Sequence, residues 1–393
     1  MQRDAPWSTN PPDVVVHVVG HITAAVGSFL GPTSHTLARC GMRQVVVLID
    51  EARHRHQLLN LHESAELVLA PASRNPFMRW SGLLLACSQA MGRGSPFHAS
   101  PLHASHFHAG HLHAVHLHGL LPSLLGAMAA RGAGVTAPIF FSPHGSRLLM
   151  LTRPLARPLL WLAAPLLRPW RVAAIVNMAQ EVGTLAQWKS VQLVESPVAA
   201  DFFNVARNEA RHPLVVTGGR VPSARAAELI AQLAVLLGDD ALRLSFNWIG
   251  EVDPVSERRL SAAGVAVFDV ELSAQIAQRL AAGWIYADAG GTRGFPVLLS
   301  EAMAVGLPCV AVDSTQNRQL IRHGETGFLC ATEREMLECI ARLTDDEALR
   351  VRIGQAARDE ASSRFGESGF SSRLLAAYAA GSPRHASSQG VTT

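Results

Sequence analysis

Unbroken runs of β-branched and other apolar residues recur along the first half of the chain, and glycine or polar residues follow each run. Such runs are typical of strands that are buried on both faces of a parallel sheet. Five strands are predicted in this half, at 13–19, 44–49, 112–119, 137–145 and 173–178. Helical stretches such as 121–132 lie between them, and this alternation predicts a doubly wound α/β domain.

The same alternation starts again beyond a junction at about 196–212. Strands are predicted at 213–219, 242–250, 265–270, 284–289 and 308–313, with helices at 223–239 and 273–283 between them. Two Rossmann-like halves of this kind predict a central cleft between the carboxyl ends of their sheets, where such folds bind ligands.

Two glycine-containing segments are expected to shape binding loops. The stretch GSFLGPT at 27–33 is predicted to be a loop that precedes a helix at 34–41. The stretch GGTRGFPVLLSEAMAVG at 290–306 predicts a loop and a helix, with Pro296 at the first helical position and Gly306 just past the end. The N-terminus of that helix is expected to bind an anion. Glu301, further along the helix, can accept hydrogen bonds from ribose hydroxyls. The alternative is that Glu301 is simply a solvated surface position.

Charge is distributed unevenly along the 393 residues. Residues 1–197 hold 15 Lys and Arg against 8 Asp and Glu, while the remainder holds 19 against 23. The basic first half favours an anionic partner, although compositional drift would give the same counts. The five cysteines form no C-x-x-C pair, which fits a reducing cytosol better than a disulfide framework or a zinc site.

The second half also resembles a known family. GFPVLLSEAMAVGLPCVAVD, followed by IRHGETGFL, resembles the donor domain of GT-B glycosyltransferases, specifically retaining family 4. The segments TGGRVPSAR, GSFLGPTSHTLARCGMRQVVVL and the stretch ending in His144-Gly145 extend the similarity. The resemblance implies a GT-B fold, an α/β architecture of two Rossmann-like doubly wound domains that face a central cleft.

A division of the chain is also predicted. Composition and pattern give a flexible segment at 1–12, domains at 13–197 and 198–365, a helix at 366–380 that packs back toward the first domain, and a disordered tail at 381–393. The resemblance implies that the first domain binds the acceptor and the second binds the donor.

Site residues follow from the same resemblance. Arg220 and Arg225 would hold the donor diphosphate, Glu301 would bind the nucleotide ribose, and His144 would contact the transferred sugar or a phosphate. The nucleotide sugar would also meet a further set of positions. These are Gly31, Val270, Arg293, Gly294, Phe295 and Pro296. A lone histidine is more often structural, so a structural role for His144 stays open.

Two positions depart from the family pattern. Arg225 stands where the family usually has lysine, and an arginine still neutralises phosphate. Arg293 stands where the family usually has a glutamate that touches the donor sugar. Three interpretations remain open: Arg293 pairs with an acidic donor sugar, it holds the diphosphate, or the protein is impaired or non-catalytic.

No metal or other cofactor is expected for the transfer, because arginines supply the positive charge and no Asp-x-Asp motif is present. Eight histidines between His98 and His118 raise the separate alternative of a metal-binding protein. Their five-residue near-repeat does not keep one strand face, so a repeat expansion in a loop is favoured, and no metal ligand is assigned.

The segment 147–171 carries five arginines, two tryptophans and no acid. Its prolines exclude a spanning helix, while its composition suits the surface of an anionic membrane; the alternative is a buried helix pair with outward-reaching arginines. No signal peptide is recognised, so a cytoplasmic protein is expected, peripheral on the inner face of a bacterial plasma membrane.

The sequence therefore predicts a retaining glycosyltransferase that moves a sugar from a nucleotide-sugar donor to a lipid-linked or cell-envelope glycan. Nucleic acid is not expected as a partner. The alternatives are a non-catalytic GT-B homologue that binds nucleotide or glycan as a partner subunit, and a histidine-rich metal-binding protein.

Overall fold

The structure is a computed structural model of the full chain. It describes residues 13–20, 22, 24–49, 58, 61–91, 112–144, 172–177, 182–183, 185, 190–219, 224–238, 244–270, 272–290 and 295–381. Several predictions therefore lie outside the described residues. They concern Arg220, Arg293, Gly294, the histidines from 98 to 111 and the segment 147–171.

Two compact units make up the chain. The first contains the described residues up to Ser196 together with those from Ser371 onward, and the second is Pro197–Phe370. The first unit is thus discontinuous in sequence. Among the described residues, no helix is both long enough and apolar enough to cross a bilayer.

The first unit is built on a seven-stranded parallel sheet. Its strands are β1 Val14–Val19, β2 Arg43–Ile49, β3 Ala65–Ala70, β4 Leu112–His118, β5 Ile139–Ser142, β6 Ala173–Val176 and β7 Val191–Leu193. They lie in the order β3-β2-β1-β4-β5-β6-β7. The five strands predicted in this half are confirmed, because their β-branched residues are buried on both faces of the sheet.

Helices cover both faces of this sheet. They are α1 Ala24–Arg39, α2 Pro76–Met91 and α3 Leu120–Gly132. Side chains of β1 alternate between the two faces: Val16 and Val18 belong to the core under α2 and α3, whereas Val19 packs with Leu30 of α1. His17 alternates with Val16 and Val18, and it is also fully buried.

The loop predicted at 27–33 is wrong. Gly31 and Pro32 lie inside α1, which starts at Ala24 and runs without interruption to Arg39. Phe29 and Leu30 are almost fully buried, and Gly31 is buried beside them. Burial of this apolar stretch outweighs the helix-breaking tendency of the Gly-Pro pair, which the sequence prediction weighted too strongly.

The second unit contains a six-stranded parallel sheet. Its strands are β8 Leu214–Gly218, β9 Ser245–Ile249, β10 Ala266–Phe268, β11 Ile285–Asp288, β12 Cys309–Val312 and β13 Gly327–Cys330. They lie in the order β10-β9-β8-β11-β12-β13. The five strands predicted in this half are confirmed, and β13 is an addition to them.

Helices again alternate with the strands. They are α4 Ala200–Asn204, α5 Ala224–Gly238, α6 Pro254–Ala262, α7 Ser273–Ala281, α8 Val297–Val305, α9 Glu333–Asp345, α10 Glu347–Phe365 and α11 Glu367–Gly381. The chain thus consists of two doubly wound, parallel-sheet α/β units, as the alternation of strands and helices in the sequence predicted.

Candidate functional site

The order of the second sheet reverses between β8 and β11. The chain moves outward from β8 through β9 to β10, then returns to β11 and moves outward on the other side. Residues Val215 and Val216 of β8 pair with Ile285 and Tyr286 of β11. In open α/β sheets, ligands bind at such a switch point, beyond the carboxyl ends of the strands. The two loops predicted to bind the donor leave these two neighbouring strands.

Glycines bring the backbone close together where β8 ends. A Cβ atom on Gly218 would lie 2.0 Å from the carbonyl oxygen of Ile249, and one on Gly250 would lie 2.7 Å from that of Gly219. The main chains of the segments after β8 and β9 therefore pass each other at a distance that only glycine allows. This passage precedes the loop that carries Arg220.

Asp288 and Asn317 fix the exit of β11, and sequence reasoning missed both residues. Asp288 Oδ1 accepts hydrogen bonds from the Gly290 N–H at 2.6 Å and from Asn317 Nδ2 at 3.4 Å. The same amide nitrogen donates to the carbonyl oxygen of Val312 at 2.9 Å. An aspartate that accepts from the backbone two residues on forms an Asx-turn, which sets the direction of the following loop. Burial raises the pKa of Asp288, and its two hydrogen bonds oppose that effect.

The helix α8 carries Glu301 along the edge of a densely packed core. Leu299, Ala302 and Met303 are fully buried, while Glu301 is half-buried. Burial is the main cause of the raised pKa of the Tyr286 phenol on β11, and negative charge at Asp288 and Glu301 adds to it. Both interpretations of Glu301, a contact of the ribose and a solvated surface position, stay predictions at this half-buried position.

The ends of α8 differ slightly from expectation. The helix begins at Val297, so Pro296 is the N-cap residue and not the first helical residue. Gly306 ends the helix in the left-handed conformation with φ of 87°, as its position predicted. Phe295, just before the cap, packs edge-on against Phe365 with 5.7 Å between ring centroids.

Two further described positions of the predicted donor site are Arg225 and Val270. Arg225 is exposed in the first turn of α5, which follows the loop after β8. Val270 is half-buried and packs against the core that contains α8. The structure thus places Arg225 and Glu301 on helices that follow adjacent strands.

Four histidines cluster in the first unit, at the point where the order of its sheet reverses between β1 and β4. His17 pairs in register with His116, and Val19 pairs with His118. His116 and His118 are two residues apart on β4, so both point to the face of His17. His144 follows β5 and brings its ring to 5.1 Å from that of His118, nearly parallel to it.

Hydrogen bonds join three of these rings in a chain. His17 Nδ1 lies 3.2 Å from His118 Nε2, and His118 Nδ1 lies 2.8 Å from His144 Nε2. Among the described residues, the outer nitrogens of the chain, His17 Nε2 and His144 Nδ1, have no hydrogen-bond partner and are buried. A neutral imidazole has one N–H, so both bonds form only when all three tautomers agree. One outer nitrogen is then a donor and the other is an acceptor.

The fourth ring, His116, has a tautomer that its neighbours determine. Ser142 Oγ donates its single proton to the carbonyl oxygen of Ile175 at 2.7 Å, so it can only accept from His116 Nε2 at 2.8 Å. His116 Nε2 therefore carries the proton. Its Nδ1 holds a lone pair, to which the hydroxyl of Tyr378 on α11 donates at 2.8 Å.

Burial keeps these rings uncharged. It lowers the pKa of His17 and of His144 to about 3. It also lowers the pKa of His116 and His118 well below 6.5, and repulsion from neighbouring histidines adds to the effect. The cluster thus offers neutral imidazole groups at neutral pH.

His144 has a strained backbone. Its φ of 49° lies in the left-handed region, which non-glycine residues seldom adopt. Strain of this kind often occurs at functional sites, where the surrounding structure holds a side chain in place. The residue is partly exposed, although its Nδ1 atom is buried.

Comparison with known proteins places a family match in the second unit. Residues 270–360 match the family described as Glycosyl transferases group 1. This segment contains Val270, Phe295, Pro296 and Glu301.

Two relatives match over short segments. The chain is 45% identical over 74 residues to the exopolysaccharide phosphotransferase SCO2592 of Streptomyces coelicolor, which is 18% of this chain and 8% of that protein. It is 33% identical over 73 residues to the N-acetyl-alpha-D-glucosaminyl L-malate synthase of Bacillus anthracis, 18% of this chain and 19% of that protein. The matched segments are thus a small part of both relatives.

Similarity in structure extends over nearly the whole chain. The crystal structure of Anabaena HepE in complex with UDP and glucose aligns with a TM-score of 0.70 at 15% sequence identity, and covers 94% of this chain and all of that one. At that identity the alignment identifies the fold. The chain therefore has the GT-B fold, and its residues 270–360 carry the sequence pattern of the glycosyl transferases group 1.

Proposed function

We propose that the protein is a retaining glycosyltransferase that takes a sugar from a nucleotide-sugar donor. The observation that carries the proposal is the switch point of the second sheet, where the loops leading to Arg225 and to α8 leave adjacent strands. The family match covers the second of these loops and the whole of α8.

The chemistry of transfer explains why these groups would be needed. The leaving nucleotide diphosphate gains negative charge as the glycosidic bond breaks, and preorganised cations stabilise that charge. Arg220 and Arg225 supply the cations in this proposal, and the N-terminus of α8 adds its partial positive charge. Glu301 accepts hydrogen bonds from the ribose, and no metal ion is required for the transfer.

Uridine nucleotides are the first donors to examine. Anabaena HepE, which shares the fold, has been crystallised with UDP and with UDP-glucose. A hexose is the proposed transferred group, and His144 is proposed to contact this sugar or a phosphate.

The proposed acceptor is a lipid-linked or cell-envelope glycan at the cytoplasmic face of a bacterial membrane. The names of the relatives, an exopolysaccharide phosphotransferase among them, support a role in glycan assembly. The basic and apolar composition of 147–171 supports peripheral contact with anionic lipid.

Titration calorimetry with UDP-, GDP- and ADP-sugars tests donor binding. Arg225→Ala and Glu301→Gln should each weaken binding of the preferred donor about 10- to 100-fold, the loss of one hydrogen bond to a charged group. The matched controls are Arg352→Ala and Glu338→Gln, two exposed positions on α10 and α9 that should leave the affinity unchanged. Equal effects of site and control variants would refute the proposed donor site.

A non-catalytic homologue is the second candidate, and the arginine at position 293 favours it, since the family usually has a glutamate there. Donor binding and turnover separate the two candidates. Hydrolysis or transfer of the bound sugar identifies an enzyme, whereas tight binding without either reaction identifies the partner subunit.

A further inference from the structure

We propose that His17, His116 and His118 form a buried binding site for a transition-metal ion of the kind that imidazole ligands prefer, such as zinc or copper. One ring nitrogen from each of the three residues lies within 4.8 Å of the others. All three residues are fully buried in the first unit. The proposed ligands all belong to the first unit, whereas Arg225 and Glu301 belong to the second, and the inference does not depend on the proposed glycosyl transfer.

The spacing of His17 and His118 already matches that of two ligands on one ion. His17 Nδ1 and His118 Nε2 are 3.2 Å apart. Two nitrogens bound to a tetrahedral zinc ion at about 2.0–2.1 Å would be about 3.3–3.4 Å apart. The distance between the two nitrogens therefore suits a shared ion, and both rings must also turn so that their lone pairs meet at the ion and not along the line between the nitrogens.

The chain of tautomers can release both lone pairs without losing a proton. With a metal ion bound, His17 holds its proton on Nε2, and His118 holds its proton on Nδ1 and donates it to His144 Nε2. His144 then carries its own proton on Nδ1. The three rings keep three protons in total, and the two protonated outer nitrogens are those that lack a partner among the described residues. Burial already keeps these rings neutral, which is the form that binds metals.

The surroundings of the proposed site resemble a second coordination layer. A histidine that binds a metal commonly donates its other N–H to an oxygen or nitrogen, which fixes the ring. His118 would donate to His144 at 2.8 Å, and His116 already donates to Ser142 at 2.8 Å.

Tyr378 competes with the metal ion for His116, the third ligand. Its hydroxyl donates to His116 Nδ1, the nitrogen that holds the lone pair. His116 can bind the ion only after this hydrogen bond breaks. Tyr378→Phe removes the competitor and should therefore strengthen metal binding, which a purely structural role of the cluster would not produce.

The choice of ion follows from the ligands. Three neutral imidazoles offer nitrogen donors and no charge, so calcium and magnesium, which prefer oxygen ligands, should not bind. Zinc is the simplest probe, and cobalt in the same site should give the visible absorption of tetrahedral coordination.

Histidines outside the proposed site can also bind metal, so the test uses a variant from which several of them have been removed. A variant in which His98, His103, His106, His108 and His111 are all replaced by glutamine removes every histidine between residues 98 and 111. We expect this five-glutamine variant to bind one equivalent of zinc in calorimetry. Loss of all stoichiometric binding in this folded variant would overturn the proposal, because any metal binding of the parent protein would then require the five replaced histidines.

Single substitutions in the same background identify the ligands. His17→Gln and His118→Gln should abolish the one-equivalent binding, and His144→Gln should weaken it about 10- to 100-fold, the usual effect of a residue that orients a ligand. The matched control is His35→Gln, an exposed histidine of α1. Circular dichroism checks the fold of each variant. Binding that persists in folded His17→Gln and His118→Gln, or that weakens in Tyr378→Phe, would also overturn the proposal.

Discussion

The guanidinium of Arg358 on α10 donates to the carbonyl oxygen of Ala304 at 3.2 Å, at the C-terminus of the helix that carries Glu301. It also donates to the carbonyl oxygen of Val305 at 3.3 Å and to that of Phe203. The last carbonyl groups of a helix have no partner within it, and a cation there also meets the negative end of the helix dipole. One side chain therefore holds α4, α8 and α10 together.

Arg358→Met should destabilise the second unit by about 2–3 kcal/mol, because it leaves partly buried carbonyl groups without a donor. Urea unfolding followed by circular dichroism measures the loss. The control Arg352→Met removes an exposed arginine of the same helix and should change stability by less than about 0.5 kcal/mol. Similar losses in both variants would contradict the capping role.

The histidine cluster should make the first unit sensitive to mild acid. The pKa of His17 is about 3 in the folded protein, against 6.5 when the ring is exposed. Between these two values the unfolded chain binds more protons, so stability falls as pH falls from 6.5 toward 3. Within that window, each such histidine lowers the free energy of unfolding by about 1.4 kcal/mol for every unit by which the pH falls. Above pH 6.5 it makes no contribution to the slope.

His17→Gln should reduce this slope by about one histidine's share, about 1.4 kcal/mol per pH unit. The slope is measured by urea unfolding between pH 6 and pH 4 in the presence of a chelator. His35→Gln, in an exposed position, should leave the slope as it is in the parent protein. A parent protein with constant stability over this range would show that the cluster is not buried in solution.

Gly218 should not tolerate a side chain. A Cβ atom there would overlap the carbonyl oxygen of Ile249 at 2.0 Å, so Gly218→Ala must displace the backbone before the loop of Arg220. We expect a loss of about 1–3 kcal/mol in stability, together with weaker donor binding. The control is the adjacent Gly219→Ala, where a Cβ atom meets nothing within 4 Å. Thermal unfolding and donor titration of the pair give the comparison.

Substitutions that change the charge at position 293 test the role of Arg293 in donor binding. If it holds the diphosphate, Arg293→Glu should weaken donor binding about 100-fold and Arg293→Gln about tenfold, because the glutamate repels the phosphates. If the arginine pairs with an acidic sugar, the loss should be confined to uronic-acid donors. A rise in activity of Arg293→Glu would instead identify the arginine as the cause of an impaired enzyme.

The sequence predicted every strand of the first sheet except its two edge strands, β3 and β7, and every strand of the second sheet except the edge strand β13. The central strands are continuous apolar runs because helices cover both faces, whereas β3 alternates half-buried and exposed residues and β7 has only three residues. The boundaries of α1 were also missed, because packing of Phe29 and Leu30 overrides the local preference of Gly31 and Pro32.

The histidine cluster was not predicted for a different reason. The five-residue repeat of the whole run argued against a shared strand face, yet inside β4 the spacing from His116 to His118 is two. Their partner His17 lies about a hundred positions earlier, on a strand that becomes a neighbour only through the sheet order. Asp288 and Asn317 meet in the same way, across the ends of separate strands.

The discontinuity of the first unit has a consequence for synthesis. Tyr378, whose hydroxyl covers His116, is made after the entire second unit. During synthesis, all six strands of the second sheet therefore emerge before α11 can pack against the sheet that holds the histidines. A protein shortened at Phe370 would lack both the hydroxyl that donates to His116 and the ring that packs against Phe140.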